Sequence, residues 1–299
     1  MTVRDLLEDG TARLATSGIA SARAEVEWLL AEMLGVGRFR LYLDIERPLP
    51  EAVARRFAAA VSRRAAREPL QQILGRQAFC DVSVTVTPDV LVPRPETERL
   101  VEWALETLPW RPARGRPLVV DVGTGSGCVA CAIASARPDA DVVAVDLSPA
   151  AAAVARANAE SLGLAERVRA LIGDLLAPVG AARADLVVAN LPYLPRASLA
   201  GLEPEVREHE PALALDGGAD GLDVIRRLVA DAPRVLRPGG RLVLETAGGA
   251  QATAVAALLG RAGFHDVAVR RDLAGVGRFV GGTAHAVGAG QVIGGGGAA

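Results

Sequence analysis

Between residues 118 and 246 the sequence alternates short apolar segments with segments rich in Ala. The apolar segments carry several β-branched Val residues and are shorter than typical helices, so each is predicted to be a strand. They occupy residues 118–122, 141–146, 167–174, 185–190 and 241–246. Strands that alternate with helices are typical of a parallel sheet covered on both faces. The pattern therefore predicts an α/β fold, closed by two antiparallel strands at residues 264–272 and 277–283.

The composition is that of a globular protein without a strong charge bias. The chain has 299 residues, of which 51% are hydrophobic, and a formal net charge of -2. This charge gives no overall attraction to nucleic acid or to anionic membranes. Only three cysteines occur, which argues against a disulfide framework. Since no apolar segment has the roughly 18 residues of a membrane span or the core of a signal peptide, we expect a cytoplasmic protein.

Residues 1–75 are predicted to form a small helical domain. Two apolar stripes recur at the spacing of amphipathic helices. The first consists of Val26, Leu29, Leu30, Met33 and Leu34, and the second of Val53, Phe57, Ala60 and Val61. Arginines occupy mostly other faces of the second helix, and we interpret them as a solvated surface, with partner docking as the alternative. They are Arg55, Arg56, Arg63, Arg64 and Arg67.

The period of the pattern changes to two between residues 77 and 92. There Val82, Val84 and Val86 alternate with polar residues up to a Pro-Asp turn, which predicts a β-hairpin. Pro93-Arg94-Pro95 then fixes the backbone before a helix that begins near Glu96. We therefore predict a helical domain at 1–75, a hairpin linker at 76–93, an α/β domain at 94–284 and a flexible Gly-rich tail at 285–299.

The first predicted strand leads into a glycine-rich turn that opens a helix. Its sequence is Asp121-Val122-Gly123-Thr124-Gly125-Ser126-Gly127. Such a turn lets backbone N–H groups approach a ligand closely. A dinucleotide fingerprint would need its third glycine at Cys128, so the sequence disfavours a pyrophosphate ligand. The predicted binding residues of the turn are Gly123, Thr124, Gly125, Ser126 and Gly127.

Two carboxylates stand at the predicted ends of the next strands. Asp146 can accept hydrogen bonds from both hydroxyls of a ribose. Asp174, with Leu175 beside it, can accept one from the amino group of an adenine. A solvated strand end is the alternative for each aspartate. A nucleoside with no required phosphate fits these residues, and we expect S-adenosylmethionine as the cofactor.

The apolar segment that ends at Asn190 is followed by Leu191, Pro192 and Tyr193. Ligands of open α/β sheets bind at the carboxyl ends of strands, so the Asn190 carboxamide is predicted to lie in the site. The alternative is an ordinary turn, because Asn and Pro are common turn residues. We predict that all four residues bind substrate, that Asn190 and Tyr193 are catalytic, and that Asn190 also contacts the cofactor.

Cys128 and Cys131 form a Cys-x-x-Cys sequence at a helix start. This spacing occurs in redox and metal sites. Only Cys80 adds a further thiol, however, and the histidines show no ligand spacing. We interpret the pair as packing residues and predict neither a metal site nor a Ser/His/Asp triad.

Together these residues resemble the release factor glutamine methyltransferases, class I enzymes that methylate the side-chain nitrogen of a Gln in peptide chain release factors. The resemblance runs from residue 67 to residue 283, and the helical domain agrees with it. Leu191 stands where the family usually has Pro, and Thr246-Ala247 stands where it usually has Ile-Gly. The matching motifs are Glu68-Pro69-Leu70-Gln71, Gly75, Pro93-Arg94-Pro95-Glu96-Thr97-Glu98, the Asn190 motif, Glu208-His209-Glu210-Pro211, Gly217-Gly218, Asp220-Gly221-Leu222 and Asp272-Leu273-Ala274-Gly275 with Arg278.

The resemblance implies a Rossmann-like methyltransferase domain preceded by a helical domain that docks the substrate. It also implies S-adenosylmethionine as cofactor and release factors as partners, with no direct contact to nucleic acid. Asn190 and the Leu191 carbonyl would accept the two N–H groups of the acceptor amide, and Tyr193 would wall the site. The alternatives are an adenine-N6 methyltransferase acting on RNA or DNA, a ribosomal-protein glutamine methyltransferase, and a non-catalytic nucleoside-binding module.

Overall fold

The computed structural model describes residues 1–109 and 115–285 of the chain. Residues 286–299, which belong to the predicted tail, lie outside the described residues. Within the described part, no helix combines the length and the hydropathy that crossing a bilayer requires. The described residues form a helical domain, a two-stranded hairpin and a seven-stranded sheet with helices on both faces.

The helical domain is built on the two apolar stripes that the sequence shows. Thr2 caps the first helix, because its hydroxyl accepts from the Asp5 backbone N–H while the Asp5 carboxylate accepts from the Thr2 N–H. Leu29, Phe57 and Val61 are fully buried in the shared core. The helices are α1 (Val3–Thr16), α2 (Ala22–Leu34), α3 (Arg38–Leu43), α4 (Glu51–Ala65) and α5 (Leu70–Leu74).

The predicted hairpin is present and is attached to the larger domain. Strands β1 (Arg76–Phe79) and β2 (Val82–Thr85) pair antiparallel. The Asn158 carboxamide accepts from the Thr85 N–H at 2.8 Å and donates to the Thr85 carbonyl at 3.0 Å and to the Ser126 carbonyl at 2.8 Å. One buried side chain thus ties the hairpin to the glycine-rich turn.

The strands predicted between residues 118 and 246 form one sheet, which confirms the α/β fold. Its order is β5-β4-β3-β6-β7-β9-β8 among the described residues, with β3 to β7 parallel and β9 antiparallel to its two neighbours. The strands are β3 (Leu118–Val122), β4 (Asp141–Asp146), β5 (Val168–Ile172), β6 (Ala184–Ala189), β7 (Leu236–Glu245), β8 (Phe264–Arg271) and β9 (Gly277–Ala284).

Helices cover both faces of this sheet, as the sequence predicts. One apolar layer contains residues of α6 (Pro95–Thr107), α7 (Cys128–Ala136) and α8 (Pro149–Ser161). The opposite layer contains residues of α10 (Asp223–Val235) and α11 (Ala250–Arg261), while the short α9 (Pro204–His209) lies in the long connection between β6 and β7. Because β3 is flanked by β4 and β6, the loops that follow these strands share one edge of the sheet, where a crevice is expected.

Strands β3 and β4 have their predicted bounds, β6, β8 and β9 differ by one residue at one or both ends, and β5 and β7 differ by more. Strand β5 ends at Ile172, so Asp174 lies in the following loop and not at a strand end. Strand β7 begins at Leu236, ahead of the predicted start, and its pairing with β6 contains a register shift. A Cβ at Gly240 would lie 2.9 Å from the Ala184 carbonyl oxygen, so glycine allows β7 to approach β6 closely here. From composition alone, the same Pro- and Gly-containing segment would be predicted to be a turn.

Cys128 and Cys131 are buried in the apolar layer between α7 and the sheet. Burial raises the pKa of Cys131 to about 12 and raises the pKa of Cys128 as well. Neither thiol is therefore a thiolate at neutral pH. This position confirms that the pair packs in the core.

The arginines in α4 and just after it divide into two groups, and the prediction of a solvated surface is wrong for Arg64 and Arg67. Arg64 is only 5% exposed and donates to Glu205 at 2.9 Å and to Glu25. Arg67 adds a second contact to Glu205 at 2.6 Å. Glu205 belongs to α9, far along the chain, so no local pattern indicates the pairing. The Arg64 and Arg67 pair therefore fastens the helical domain to the β6–β7 connection.

Glycines fix the backbone that follows Asn190. A Cβ at Gly221 would lie 2.3 Å from the Tyr193 carbonyl oxygen, and one at Gly217 would lie 2.8 Å from the Pro192 carbonyl oxygen. The Tyr193 carbonyl also accepts from Gln251 Nε2 at 2.9 Å. The glycine segments of the β6–β7 connection thus allow two backbone segments to touch, which holds the Pro192-Tyr193 segment in place.

We predict that Arg64→Ala lowers stability markedly, because Glu25 and Glu205 lose their buried partner. Breaking such a pair costs about 3 kcal/mol. Arg55→Ala on the same helix is the control, since Arg55 pairs with Glu51 in open solvent and such pairs contribute little. Urea unfolding of both variants measures the difference, and equal midpoints would contradict the role of Arg64.

We also predict that Gly221→Ala destabilises the protein more than Gly163→Ala. Both glycines have a positive φ, 79° and 69°, so both substitutions carry the same backbone strain. Only the Cβ at residue 221 meets the Tyr193 carbonyl, whereas no atom lies within 4 Å of one at residue 163. Thermal melting compares the two variants, and an equal loss would mean that the contact with Tyr193 has no effect.

Candidate active site

A cavity of about 310 Å³ opens at the carboxyl edge of β3, β4 and β6. Its walls come from segments that are far apart in the sequence: the glycine-rich turn, the ends of β4 and β5, the segment after β6, the residues before α6 and the β6–β7 connection. Of the predicted site residues, the cavity brings together Gly123, Thr124, Gly125, Ser126, Asp146, Asp174, Leu175, Asn190, Leu191 and Pro192.

The glycine-rich turn is held rigidly from beneath. The N–H groups of Gly123 and Thr124 both donate to the Val145 carbonyl, at 2.8 and 3.0 Å, and the Thr124 hydroxyl donates to Asp121 at 2.6 Å. Gly123 has a φ of 71°, and a Cβ there would lie 2.9 Å from Leu191 Cδ2. The positive φ favours glycine at residue 123, and a larger residue would in addition require the Leu191 side chain to shift.

Asp146 uses its carboxylate to connect the turn with the start of α8. One oxygen accepts from the Gly125 N–H at 2.8 Å and the other from the Ser148 N–H at 2.9 Å. Each carboxylate oxygen can accept a further hydrogen bond. Asp146 lines the cavity, so two acceptors at a fixed spacing are available to a pair of ligand hydroxyls.

Asp174 and Leu175 form the adjoining wall. The Asp174 carboxylate is paired with Arg227 and is 45% exposed, so one of its two oxygens is already engaged. Leu175 has a φ of 50°, which is uncommon for a leucine and turns the chain sharply beside the cavity. Both residues line the cavity and are available to border a ligand group there.

Asn190 lies at the opposite side of the same cavity, directly after β6. Its Nδ2 atom donates to the Thr97 hydroxyl oxygen at 3.1 Å. No hydrogen bond from the described residues reaches its Oδ1 atom, which leaves that oxygen as an acceptor for a ligand. The neighbouring Leu191 side chain is buried against Gly123, so the Asn190 segment is attached to the glycine-rich turn.

Two predicted residues do not line the cavity. Gly127 caps the start of α7 with a φ of 77°, and a Cβ there would lie only 3.0 Å from Ala155, so glycine allows the close packing of these two segments. The Tyr193 ring packs against the apolar layer beneath the sheet, and its hydroxyl donates to Glu245 at 3.4 Å. Burial, with the nearby Glu245, raises the pKa of Tyr193, so it remains protonated. The prediction that Tyr193 walls the cofactor site finds no support in the cavity lining.

The cavity also contains residues that sequence reasoning missed as site residues. Asp121 is fully buried beneath the turn, and burial raises its pKa to about 7 although the Thr124 hydroxyl opposes the rise. Arg94 pairs with the buried Glu210, whose other oxygen accepts from the Val92 N–H. Arg94 and Glu210 belong to two of the family motifs, but the local sequence does not show that these motifs come into contact. Their contact places Arg94 in the cavity wall.

The residues of this cavity fit S-adenosylmethionine. A glycine-lined turn with open space above Gly125, paired acceptors at Asp146 and the flat wall at Leu175 suit a nucleoside. The Ser126 hydroxyl is buried beside the turn and has no hydrogen-bond partner among the described residues, which leaves a polar group available to a ligand. No phosphate-binding cluster of Lys or Arg is needed for such a cofactor.

Comparison with solved structures gives the same fold. The hMettl16 catalytic domain in complex with MAT2A 3′UTR hairpin 6 has a TM-score of 0.55 at 14% identity, covering 79% of this chain and 82% of that one. A T. thermophilus 16S rRNA methyltransferase in complex with AdoMet and guanosine has a TM-score of 0.52 at 23% identity, covering 70% and 50%. At these identities the likeness establishes the class I methyltransferase fold alone.

Sequence comparison identifies both domains. Residues 5–75 match the PrmC N-terminal domain, and residues 102–200 match the methyltransferase small domain. The release factor glutamine methyltransferase of Geobacter sulfurreducens is 48% identical over 94% of this chain and 96% of its own length. That of Cereibacter sphaeroides is 45% identical over 94% and 98%, and that of Mycolicibacterium smegmatis 43% over 93% and 96%. Because it is 43–48% identical to these enzymes over nearly its whole length, the chain belongs to the release factor glutamine methyltransferase family.

Proposed function

We propose that this protein transfers a methyl group from S-adenosylmethionine to the side-chain amide nitrogen of the Gln in the Gly-Gly-Gln motif of peptide chain release factors. The observation that carries the proposal is the position of Asn190. Its free Oδ1 acceptor lies in the same cavity as the nucleoside-binding residues and belongs to a backbone segment packed on the glycine-rich turn.

The binding residues divide between the two substrates. The backbone of Gly123 to Ser126, the Asp146 carboxylate and the wall at Asp174 and Leu175 hold the cofactor. Asn190, Leu191 and Pro192 hold the acceptor glutamine. When bound, S-adenosylmethionine supplies a methyl group on a positively charged sulfur, which the acceptor nitrogen attacks.

The task of the protein is to make an amide nitrogen nucleophilic. The lone pair of an amide is delocalised into its carbonyl, so the nitrogen must be held in a geometry that frees the lone pair. The Asn190 Oδ1 atom and the Leu191 carbonyl accept hydrogen bonds from the two N–H groups of the glutamine amide. The nitrogen lone pair is then directed at the part of the cavity where S-adenosylmethionine binds. Positioning of this kind can lower a barrier by up to about 7 to 11 kcal/mol. No strong base is required, because the alkylated amide loses its proton easily.

Leu191 supports the same arrangement although it departs from the family pattern. The proposed role of the residue uses its backbone carbonyl, which any amino acid supplies. Its side chain is 4% exposed and fills the space that Gly123 leaves open. A Leu at this position therefore keeps the Asn190 segment in contact with the turn.

The proposal also assigns roles to the domains and gives the location and the type of substrate. The helical domain at 1–75 docks the release factor, residues 76–93 form the hairpin linker, and residues 94–284 form the methyltransferase domain. The protein acts in the cytoplasm on a protein substrate, without direct contact to nucleic acid. The adenine-N6 alternative gains no support from the named relatives, which are glutamine methyltransferases.

The test is transfer of labelled methyl from S-adenosylmethionine to a release factor carrying Gly-Gly-Gln, with its Gly-Gly-Ala variant as control. We expect labelling of the first protein only. Equal labelling of both proteins would mean that the methylated atom is not in the Gln side chain of this motif. Labelling confined to RNA would favour an adenine-N6 methyltransferase. Labelling confined to a ribosomal protein would favour a ribosomal-protein glutamine methyltransferase.

We predict that Asn190→Ala reduces kcat by about 100-fold or more, because the acceptor nitrogen loses one of its two hydrogen-bond acceptors. The dissociation constant for S-adenosylmethionine should change little, since the nucleoside contacts remain. Isothermal titration and single-turnover transfer measure the two quantities separately. A matching loss of cofactor binding would argue that Asn190 serves the cofactor.

Asp146→Ala is predicted to weaken cofactor binding by about 10 to 100-fold, the cost of losing hydrogen bonds to a charged acceptor. The carboxylate of Asp174 is exposed and already paired with Arg227, so Asp174→Ala should weaken binding less. Titration with S-adenosylmethionine compares the variants after their melting temperatures are checked. The reverse ranking would shift the main cofactor contact to Asp174.

A further inference from the structure

We infer that Thr97 is a positioning residue that orients the Asn190 carboxamide, and that Glu245 sets the direction of the hydrogen bond between them. The inference rests on the proposed function and extends it to residues outside the Asn190 motif. Thr97 lies in the first turn of α6, and Glu245 is the last residue of β7. Both are 2% exposed.

The contact between Thr97 and Asn190 is direct. The Asn190 Nδ2 atom lies 3.1 Å from Thr97 Oγ1, and the two residues are 93 positions apart in the sequence. A carboxamide has a donor end and an acceptor end of nearly equal size. Whichever end faces Thr97 determines which end faces the acceptor glutamine.

A threonine hydroxyl alone does not determine that choice, since it can either donate or accept. Glu245 removes the ambiguity, because an ionised carboxylate only accepts. Glu245 is buried, its Oε1 atom accepts from the Tyr193 hydroxyl at 3.4 Å, and its buried Oε2 atom has no hydrogen-bond partner among the described residues. Rotation of the Thr97 hydroxyl toward Oε2 would supply that partner, and the Thr97 hydroxyl acts to lower the pKa of Glu245. The Thr97 proton is therefore directed toward Glu245, and the Thr97 oxygen receives the Asn190 N–H.

The consequence for the active site is a fixed orientation of the amide. With Nδ2 held by Thr97, Asn190 presents Oδ1 to the cavity, as the glutamine N–H groups require. In the reversed orientation two NH₂ groups would face each other without an acceptor between them. Leaving polar groups unpaired in this way disfavours binding of the acceptor.

Polar and charged groups around Glu245 affect this arrangement. Burial raises the pKa of Glu245 to about 7, while Thr97, Arg278 and Tyr193 oppose the rise and Glu96 adds to it. Protonated Glu245 could donate to Thr97 and so release the Asn190 amide. Activity that depends on the ionised carboxylate should therefore fall as the pH decreases through about 7.

The test compares Thr97→Val with Thr97→Ser. Valine keeps the shape of threonine without its hydroxyl, whereas serine keeps the hydroxyl. We expect kcat to fall by about 10 to 100-fold in Thr97→Val, the usual effect of losing a residue that orients a ligand-binding group. Thr97→Ser should keep kcat near the wild-type value, and the affinity for the cofactor should be unchanged in both variants. Equal kcat values for the two variants would overturn the role of Thr97.

A double substitution tests whether Glu245 acts through Thr97. Glu245→Gln supplies an NH₂ group that can donate to Thr97, so kcat should fall and the low-pH decline should disappear. In the Thr97→Val background the same substitution should cause no further loss. An additive loss would mean that Glu245 acts independently, which overturns its part in the inference.

A spectroscopic measurement separates this inference from the proposed function. The Asn190 side-chain NH₂ resonances can be assigned in a ¹⁵N spectrum of the cofactor-free protein by their absence in Asn190→Ala. We expect them to move in Thr97→Val and to stay in place in Thr97→Ser. Failure of the wild-type protein to label Gly-Gly-Gln would refute the proposed function alone, whereas unmoved resonances in Thr97→Val would refute the orientation by Thr97.

Discussion

The packing of Leu191 on Gly123 sets the distance between the two halves of the active site. One residue belongs to the turn that borders the cofactor and the other follows the carboxamide that holds the acceptor. A Cβ on Gly123 would lie 2.9 Å from Leu191 Cδ2, so any larger residue would require the Leu191 side chain to shift. Because the turn is also hydrogen-bonded to the end of β4, the donor and acceptor contacts are parts of one rigid unit.

The sequence is sufficient to predict the parts of the fold that depend on local periodicity. Strands β3 and β4 have their predicted bounds, and the hairpin and the closing antiparallel strands are present. The Ser148 cap is predictable for the same reason, since its hydroxyl accepts from the Ala151 N–H three residues along the chain. Strand β7 is the exception, because its first residues contain Pro and Gly and are held by tertiary contact with β6.

The site is predictable only where a strand end identifies it. Asp146 and Asn190 follow or end buried strands, and the parallel sheet then brings them to one edge. Thr97 and Glu245 could not be assigned from their local sequence, because their function depends on a contact between α6, β6 and β7. For Tyr193, the place in a motif suggested a ring in the cavity, whereas the ring is partly buried against the apolar layer beside Glu245 and is not among the described residues that line the cavity.

The link between Arg64 and Glu205 gives the helical domain a second role. Glu205 belongs to the same connection whose residues Pro211 and Leu213 line the cavity, and Gln72 of the domain donates to the His209 carbonyl in that connection at 3.1 Å. The domain is therefore in direct contact with the connection that forms part of the cavity wall. A protein bound to the helical domain would be linked to that wall through the Arg64–Glu205 and Gln72–His209 contacts.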